Sequence, residues 1–171
     1  MLGRGPAAEK LRKLLGPVAI LYTNECANQY IKEVPAALDL ISVDVYAGDT
    51  PGSKGTDEVV AAKAMYQIIF PKLHSHQQVM LVPGTYACSN LSYFPLDEQA
   101  KNVVDKLDGY FDWAKANKRI AGFNPWHFET RASAQHGPPC DMILGANCMP
   151  TVVAKLTEIS KYILAQEQGG G

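Results

Sequence analysis

Val18-Ala19-Ile20-Leu21-Tyr22-Thr23-Asn24-Glu25 decides how this chain is read. Five apolar or aromatic residues run without a break and then give way to Thr-Asn-Glu. A run this short, rich in Ile, Leu and Tyr, predicts a buried strand. Burial on both faces is the habit of parallel sheets, and such sheets collect their chemistry at the carboxyl ends of their strands. Asn24 and Glu25 stand at that end.

Outward from this stretch the arrangement repeats. Ala7 to Leu15 reads as a short amphipathic helix ended by Gly16-Pro17. A second strand is predicted over Leu38 to Tyr46, a third over Val79 to Tyr86 and a fourth over Ile120 to Phe128. Between the second and third strands, Thr56 reads as the N-cap of a helix that should end or kink at Phe70-Pro71. Asp97 reads as the cap of a helix over about 97 to 117, with Val103, Val104, Leu107, Tyr110, Phe111 and Ala114 on its buried stripe. A long loop, Thr130 to Asn147, precedes a final helix from Pro150 to about Gln166. The expected fold is therefore α/β: a parallel (β/α) repeat of about four units in a single domain over residues 1–168. Gly169 to Gly171 reads as a disordered tail. A complete (β/α)8 barrel takes ~250 residues; 171 residues supply part of one, the alternative being a small open α/β sheet.

Composition excludes several classes. Sixteen basic and 17 acidic residues nearly cancel, and no block of like charge marks a nucleic-acid footprint. No apolar run approaches the ~20 residues of a membrane helix, and Met1 to Pro6 lacks the apolar core of a signal peptide. The default localisation is cytoplasmic. Cys26, Cys88, Cys140 and Cys148 form no Cys-x-x-Cys pair, which argues against structural zinc. Cys140 and Cys148 flank a short loop and are the pair to consider in an oxidising compartment; free thiols are the simpler expectation. The loop Ala47 to Gly55 lacks the Gly-Lys-Ser/Thr ending of a phosphate loop. His74-Ser75-His76 falls in the turn before the third strand, at the end of the sheet away from the expected site. No metal and no cofactor are expected.

The predicted strand ends supply a polar and aromatic ring: Asn24 and Glu25, Asp44 and Tyr46, Thr85 and Tyr86, then Asn124, Trp126, His127 and Glu129. A strand ending in Asn-Glu within a βα repeat resembles the fourth strand of the TIM-barrel retaining glycoside hydrolases. The resemblance implies that the chain is the C-terminal half of such a barrel and that Glu25 is the general acid/base. Asn24 would then bind the sugar 2-hydroxyl. It further implies that Tyr86 orients a nucleophile and that Trp126 stacks on a sugar face. The family's nucleophile lies on the seventh strand, whose counterpart here ends in Asn-Pro-Trp-His-Phe-Glu-Thr, and Glu129 is its one carboxylate. Two such carboxyl groups must stand ~5–5.5 Å apart for retaining hydrolysis. Asp44, Tyr46, Asn124 and His127 complete the expected substrate contacts. A β-linked carbohydrate is the expected substrate, and open sheet edges predict self-association. The alternatives are a degenerate barrel that binds carbohydrate or a protein without cleaving, and a metal enzyme using Asp44, His127 and Glu129.

Overall fold

The computed structural model describes residues 4–15, 22–25, 32–45, 54–89, 94–132 and 142–169. The described residues form four helices: α1 (Arg4–Leu15), α2 (Gly55–Ile69), α3 (Leu96–Lys115) and α4 (Pro150–Gly169). Strands β1 (Tyr22–Glu25), β2 (Leu40–Val43), β3 (Gln78–Leu81) and β5 (Ile120–Phe123) form one sheet, in that spatial order and all parallel. Strands β4 (Ala87–Cys88), β6 (Arg131–Ala132) and β7 (Met142–Leu144) form a second, antiparallel sheet with β7 in the middle. The expected α/β repeat with a parallel sheet is therefore present. The described strands form no closed barrel.

The helices lie where the apolar pattern requires. Ile41, Val43 and Val45 alternate along β2 and its extension, and they pack with Val79 and Leu81 of β3. Val59, Ala62, Tyr66 and Ile69 recur at helical spacing along α2 and close the same core. A second core lies between α3 and α4, where Val103, Leu107 and Phe111 meet Met149, Val152 and Ile159. Helix α3 serves both cores, since Tyr110 belongs to the first.

Hydrogen bonding closes the gaps that the strands leave. The β2–β3 register pairs Leu40 with Gln78 and Ile41 with Val79. Beyond that point the Tyr66 hydroxyl accepts from the Val43 N–H at 3.0 Å and donates to the Met80 carbonyl at 2.9 Å. At the amino end of the sheet, buried Gln77 donates to the Pro35 and Leu38 carbonyls and accepts from the His74 N–H. Arg119 donates to the Gln77 and His74 carbonyls. This end of a parallel sheet reads as structural. His74 and His76 are exposed there, and their rings stack.

Several boundaries differ from the sequence expectation. The third strand stops at Leu81 because Pro83 has no N–H to donate. Ala87-Cys88 then joins the other sheet. The fourth strand stops at Phe123, before Pro125. Thr56 does not cap α2. Lys54 does, its N–H donating to Asp57 Oδ2 at 2.8 Å. Pro95, not Asp97, is the N-cap of α3. The segment 130–147 is no featureless loop, because it holds β6, β7 and a 3-10 turn at Ala146–Cys148. Helix α4 extends to Gly169, so that residue is not part of a tail. Residues 18–21 of the opening stretch lie outside the described residues.

Among the thiols, the expectation of a free cysteine holds for Cys148 and fails for Cys88. Cys148 is free and exposed, with its Sγ 2.9 Å from Thr130 Oγ1, so it does not pair with Cys140. Cys88 is disulfide-bonded. No described helix is long and apolar enough to cross a membrane.

Candidate functional site

The carboxyl end of the parallel sheet is built by continuation of β3 and β5. Past their last ladder residues the two chains stay side by side. The Asn124 N–H donates to the Leu81 carbonyl at 2.8 Å and the Trp126 N–H to the Pro83 carbonyl at 3.0 Å. Gly84 forms a parallel bridge with Trp126, and the Thr85 N–H donates to the Trp126 carbonyl. Pro83 has no N–H to donate, so the regular ladder lapses there and pairing resumes through the Trp126 and Thr85 N–H groups.

This pairing brings two aromatic side chains together. Tyr86 and Trp126 meet edge to face, with ring centroids 5.2 Å apart and planes at 86°. That geometry is the favoured one for aromatic pairs. Both rings are half-buried. The His127 ring follows at 5.1 Å from Trp126, across a cis peptide bond. Two polar atoms here are buried without a hydrogen-bond partner among the described residues, Thr85 Oγ1 and His127 Nε2. Buried polar groups are nearly always paired. Two orphans on neighbouring strand extensions mark a place where a further polar partner would be stabilised.

Other sequence candidates fall differently. The β1–β2 register sets Asn24 opposite Ser42 and Glu25 opposite Val43, so both lie at the carboxyl end of β1. Asp44 is half-buried just past β2, and Asn124 is exposed just past β5. Tyr46 lies outside the described residues, as do Cys26 and the loop at 47–53.

Glu129 is exposed on a bend well beyond the end of β5. Its stretch is tied to the start of the 3-10 turn: the His127 and Phe128 carbonyls accept from the Ala146 and Asn147 N–H groups at 3.0 and 3.1 Å. Gly145 permits this approach, since a Cβ there would stand 2.2 Å from the Phe128 carbonyl oxygen. Met142–Leu144 is the middle strand of the antiparallel sheet. Among the described residues no three of His, Cys, Asp and Glu gather to hold a metal, so Asp44, His127 and Glu129 form no such centre.

A feature absent from the sequence expectation lies beneath the aromatic pair. Glu58 of α2 and Lys106 of α3 are buried, with Lys106 Nζ 2.7 Å from Glu58 Oε2. Glu58 Oε1 accepts from the Gly84 N–H at 3.1 Å and from the Tyr110 hydroxyl at 3.3 Å. Lys106 Nζ donates to the Gly84 carbonyl at 3.1 Å. A signal was present: Glu58 falls on the stripe of Val59, Ala62 and Tyr66, and Lys106 on that of Val103, Leu107 and Tyr110. A cavity beside Tyr86, lined also by Cys88, Gln99, Asn102 and Lys106, measures about 20 Å³. That is room for one water.

Comparison with known proteins adds no assignment: no family model matches the chain, and no curated protein or solved structure does so either.

Proposed function

We propose that this chain is a glycoside hydrolase-like carbohydrate-binding domain, the C-terminal half of a (β/α) barrel. The site would be the aromatic rim formed by Tyr86, Trp126 and His127. The observation that carries the reading is the edge-to-face Tyr86–Trp126 pair flanked in sequence by two buried, unpartnered polar atoms. An exposed aromatic face takes the C–H face of a sugar. The barrel component is supported by strand order. The parallel strands follow one another in sequence order, with no reversal, whereas doubly wound sheets reverse at a switch point. Under this reading the outer strands β1 and β5 pair with further strands, from another part of a longer chain or from another copy. The disulfide at Cys88 fits work in an oxidising compartment better than the cytoplasmic default.

The test is calorimetric titration with a panel of soluble β-linked oligosaccharides. Wild type should bind at least one member, and Trp126→Ala should weaken it at least about tenfold, equivalent to about 1.4 kcal/mol. Absence of binding across the panel, or a Trp126→Ala variant that binds as wild type does, overturns the reading.

Cleavage is the further step, with Glu25 as acid/base, Asn24 on the sugar 2-hydroxyl and Glu129 as nucleophile. The position of Glu25 at the end of a parallel strand favours it. The requirement is demanding. β1 and β5 are the outermost strands of the sheet, three strand spacings or about 14 Å apart on a flat sheet, and Glu129 lies well beyond the end of β5. Only curvature of the barrel kind shortens that chord toward the ~5–5.5 Å of a retaining pair. With an aryl β-glycoside, Glu25→Gln and Glu129→Gln should each abolish turnover. Full activity in Glu129→Gln would remove that residue from the chemistry.

A further inference from the structure

We infer that Glu58 and Lys106 are positioning residues for the aromatic rim, acting through the Gly84 peptide groups; the ligand-binding consequence rests on the carbohydrate reading above. Three observations lead there. First, the pair is fully buried, Glu58 at 0% exposure and Lys106 at 2%. Taking two charges out of water costs several kcal/mol per ion unless further hydrogen bonds compensate. Second, the compensating bonds converge on one residue. Glu58 takes the Gly84 N–H and Lys106 takes the Gly84 carbonyl, at 3.1 Å each. Opposite charges from two helices thus hold both polar groups of a single backbone residue. Third, Gly84 is the residue that bridges to Trp126 and lies two positions before Tyr86. The Pro83 and Thr85 backbones, on either side of Gly84, hydrogen-bond Trp126. A shift of Gly84 therefore moves both members of the aromatic pair.

The helix crossing that permits this is equally specific. A Cβ on Gly55 would stand 1.8 Å from the Asn102 carbonyl oxygen and 2.9 Å from the Lys106 nitrogen. A Cβ on Gly109 would stand 2.9 Å from Val59 Cγ2. The two glycines let α2 and α3 approach until Glu58 and Lys106 touch. Tyr110 holds Glu58 from the same helix that carries Lys106. The carboxylate is thereby fixed in place and not merely neutralised.

The test labels the full chain with 5-fluorotryptophan, which reports on its two tryptophans, Trp113 and Trp126. Trp126→Phe assigns the resonances. In Glu58→Gln and Lys106→Met, the Trp126 resonance should shift or broaden well beyond any change at Trp113, and affinity for the bound oligosaccharide should fall at least about tenfold. Lys101→Met, on the exposed side of the same helix, should change neither. A folded Glu58→Gln or Lys106→Met variant with the Trp126 resonance unmoved overturns the inference. If those variants do not fold, wild-type hydrogen exchange decides. Gly84, Thr85 and Trp126 amides exchanging together and slowly supports a held unit. Fast exchange at Gly84 with protection at Val79 overturns it. The resonance and exchange arms need no ligand, so a chain that binds no carbohydrate sinks the functional reading while the positioning role is judged separately.

Discussion

Two of the ion pairs on helix α3 share their chemistry and nearly their length. Lys106 meets Glu58 at 2.7 Å, and Lys115 meets Asp112 at 2.8 Å. The first pair is sealed between two helices and a strand end. In the second, the two side chains retain 40% and 74% of their exposure. Distance alone would rank them equal. Water separates them: an exposed pair gains ~0–1 kcal/mol, whereas breaking a buried pair leaves an uncompensated charge and costs ~3–5 kcal/mol. The buried pair also holds both backbone groups of Gly84, so its effect extends to the aromatic rim.

The largest expected effect tests the buried side. Lys106→Met should lower unfolding free energy by about 3–5 kcal/mol, read from urea denaturation. Replacing both partners, Glu58→Leu with Lys106→Met, removes the stranded charge but leaves the Gly84 N–H and carbonyl without these partners. Each such group costs ~1–3 kcal/mol, so the double variant should recover only part of the loss. A double variant as stable as wild type would show that the hold on Gly84 contributes nothing.

Next comes the helix crossing that creates the pair. Gly55→Ala drives a methyl group into the backbone of α3 and should cost about 1–3 kcal/mol as overpacking. Gly109→Ala meets only the tip of Val59 and should cost less. Equal effects would mean that the close approach at Gly55 is not what sets the geometry of the buried pair.

The same contrast explains what could be read from the sequence. Parallel βα units were legible because Ile41, Val43, Val79 and Leu81 occupy short apolar runs between amphipathic helices. Asn24 and Glu25 were legible as strand-end residues for the same reason, whereas Tyr86 and Trp126 lie past the ends of β3 and β5. The antiparallel sheet was not. Ala87-Cys88 and Arg131-Ala132 are two-residue strands, too short to carry any period, and they exist through contacts made far away in sequence. Glu129 was placed by counting along an expected strand, but that strand ends at Phe123 and the chain is drawn off toward Gly145. Glu58 stands in the first turn of its helix, where acidic residues ordinarily face water. Its burial requires a partner on another helix, and a periodicity argument treats each helix alone. The register that puts Lys106 opposite Glu58 depends on the packing at Gly55.

The smallest expected effect tests the exposed side. Lys115 donates a hydrogen bond to Asp112 and adds its charge, which together lower the Asp112 pKa; the same bond raises that of Lys115. A depressed carboxylate contributes stability above its unfolded pKa and loses it as pH falls through the folded value. A raised ammonium contributes below its unfolded pKa and loses it as pH rises through the folded value. The pair therefore acts across the neutral range and fades at both extremes. Both groups face water, so the contribution is small and screened by salt. Asp112→Asn should produce a slight fall in urea midpoint at neutral pH and low salt. That fall should shrink in molar salt, and also in acid once Asp112 is protonated in wild type. A loss as large as that of Lys106→Met, unmoved by salt, would break the contrast, because burial would then not be what distinguishes two pairs of equal length.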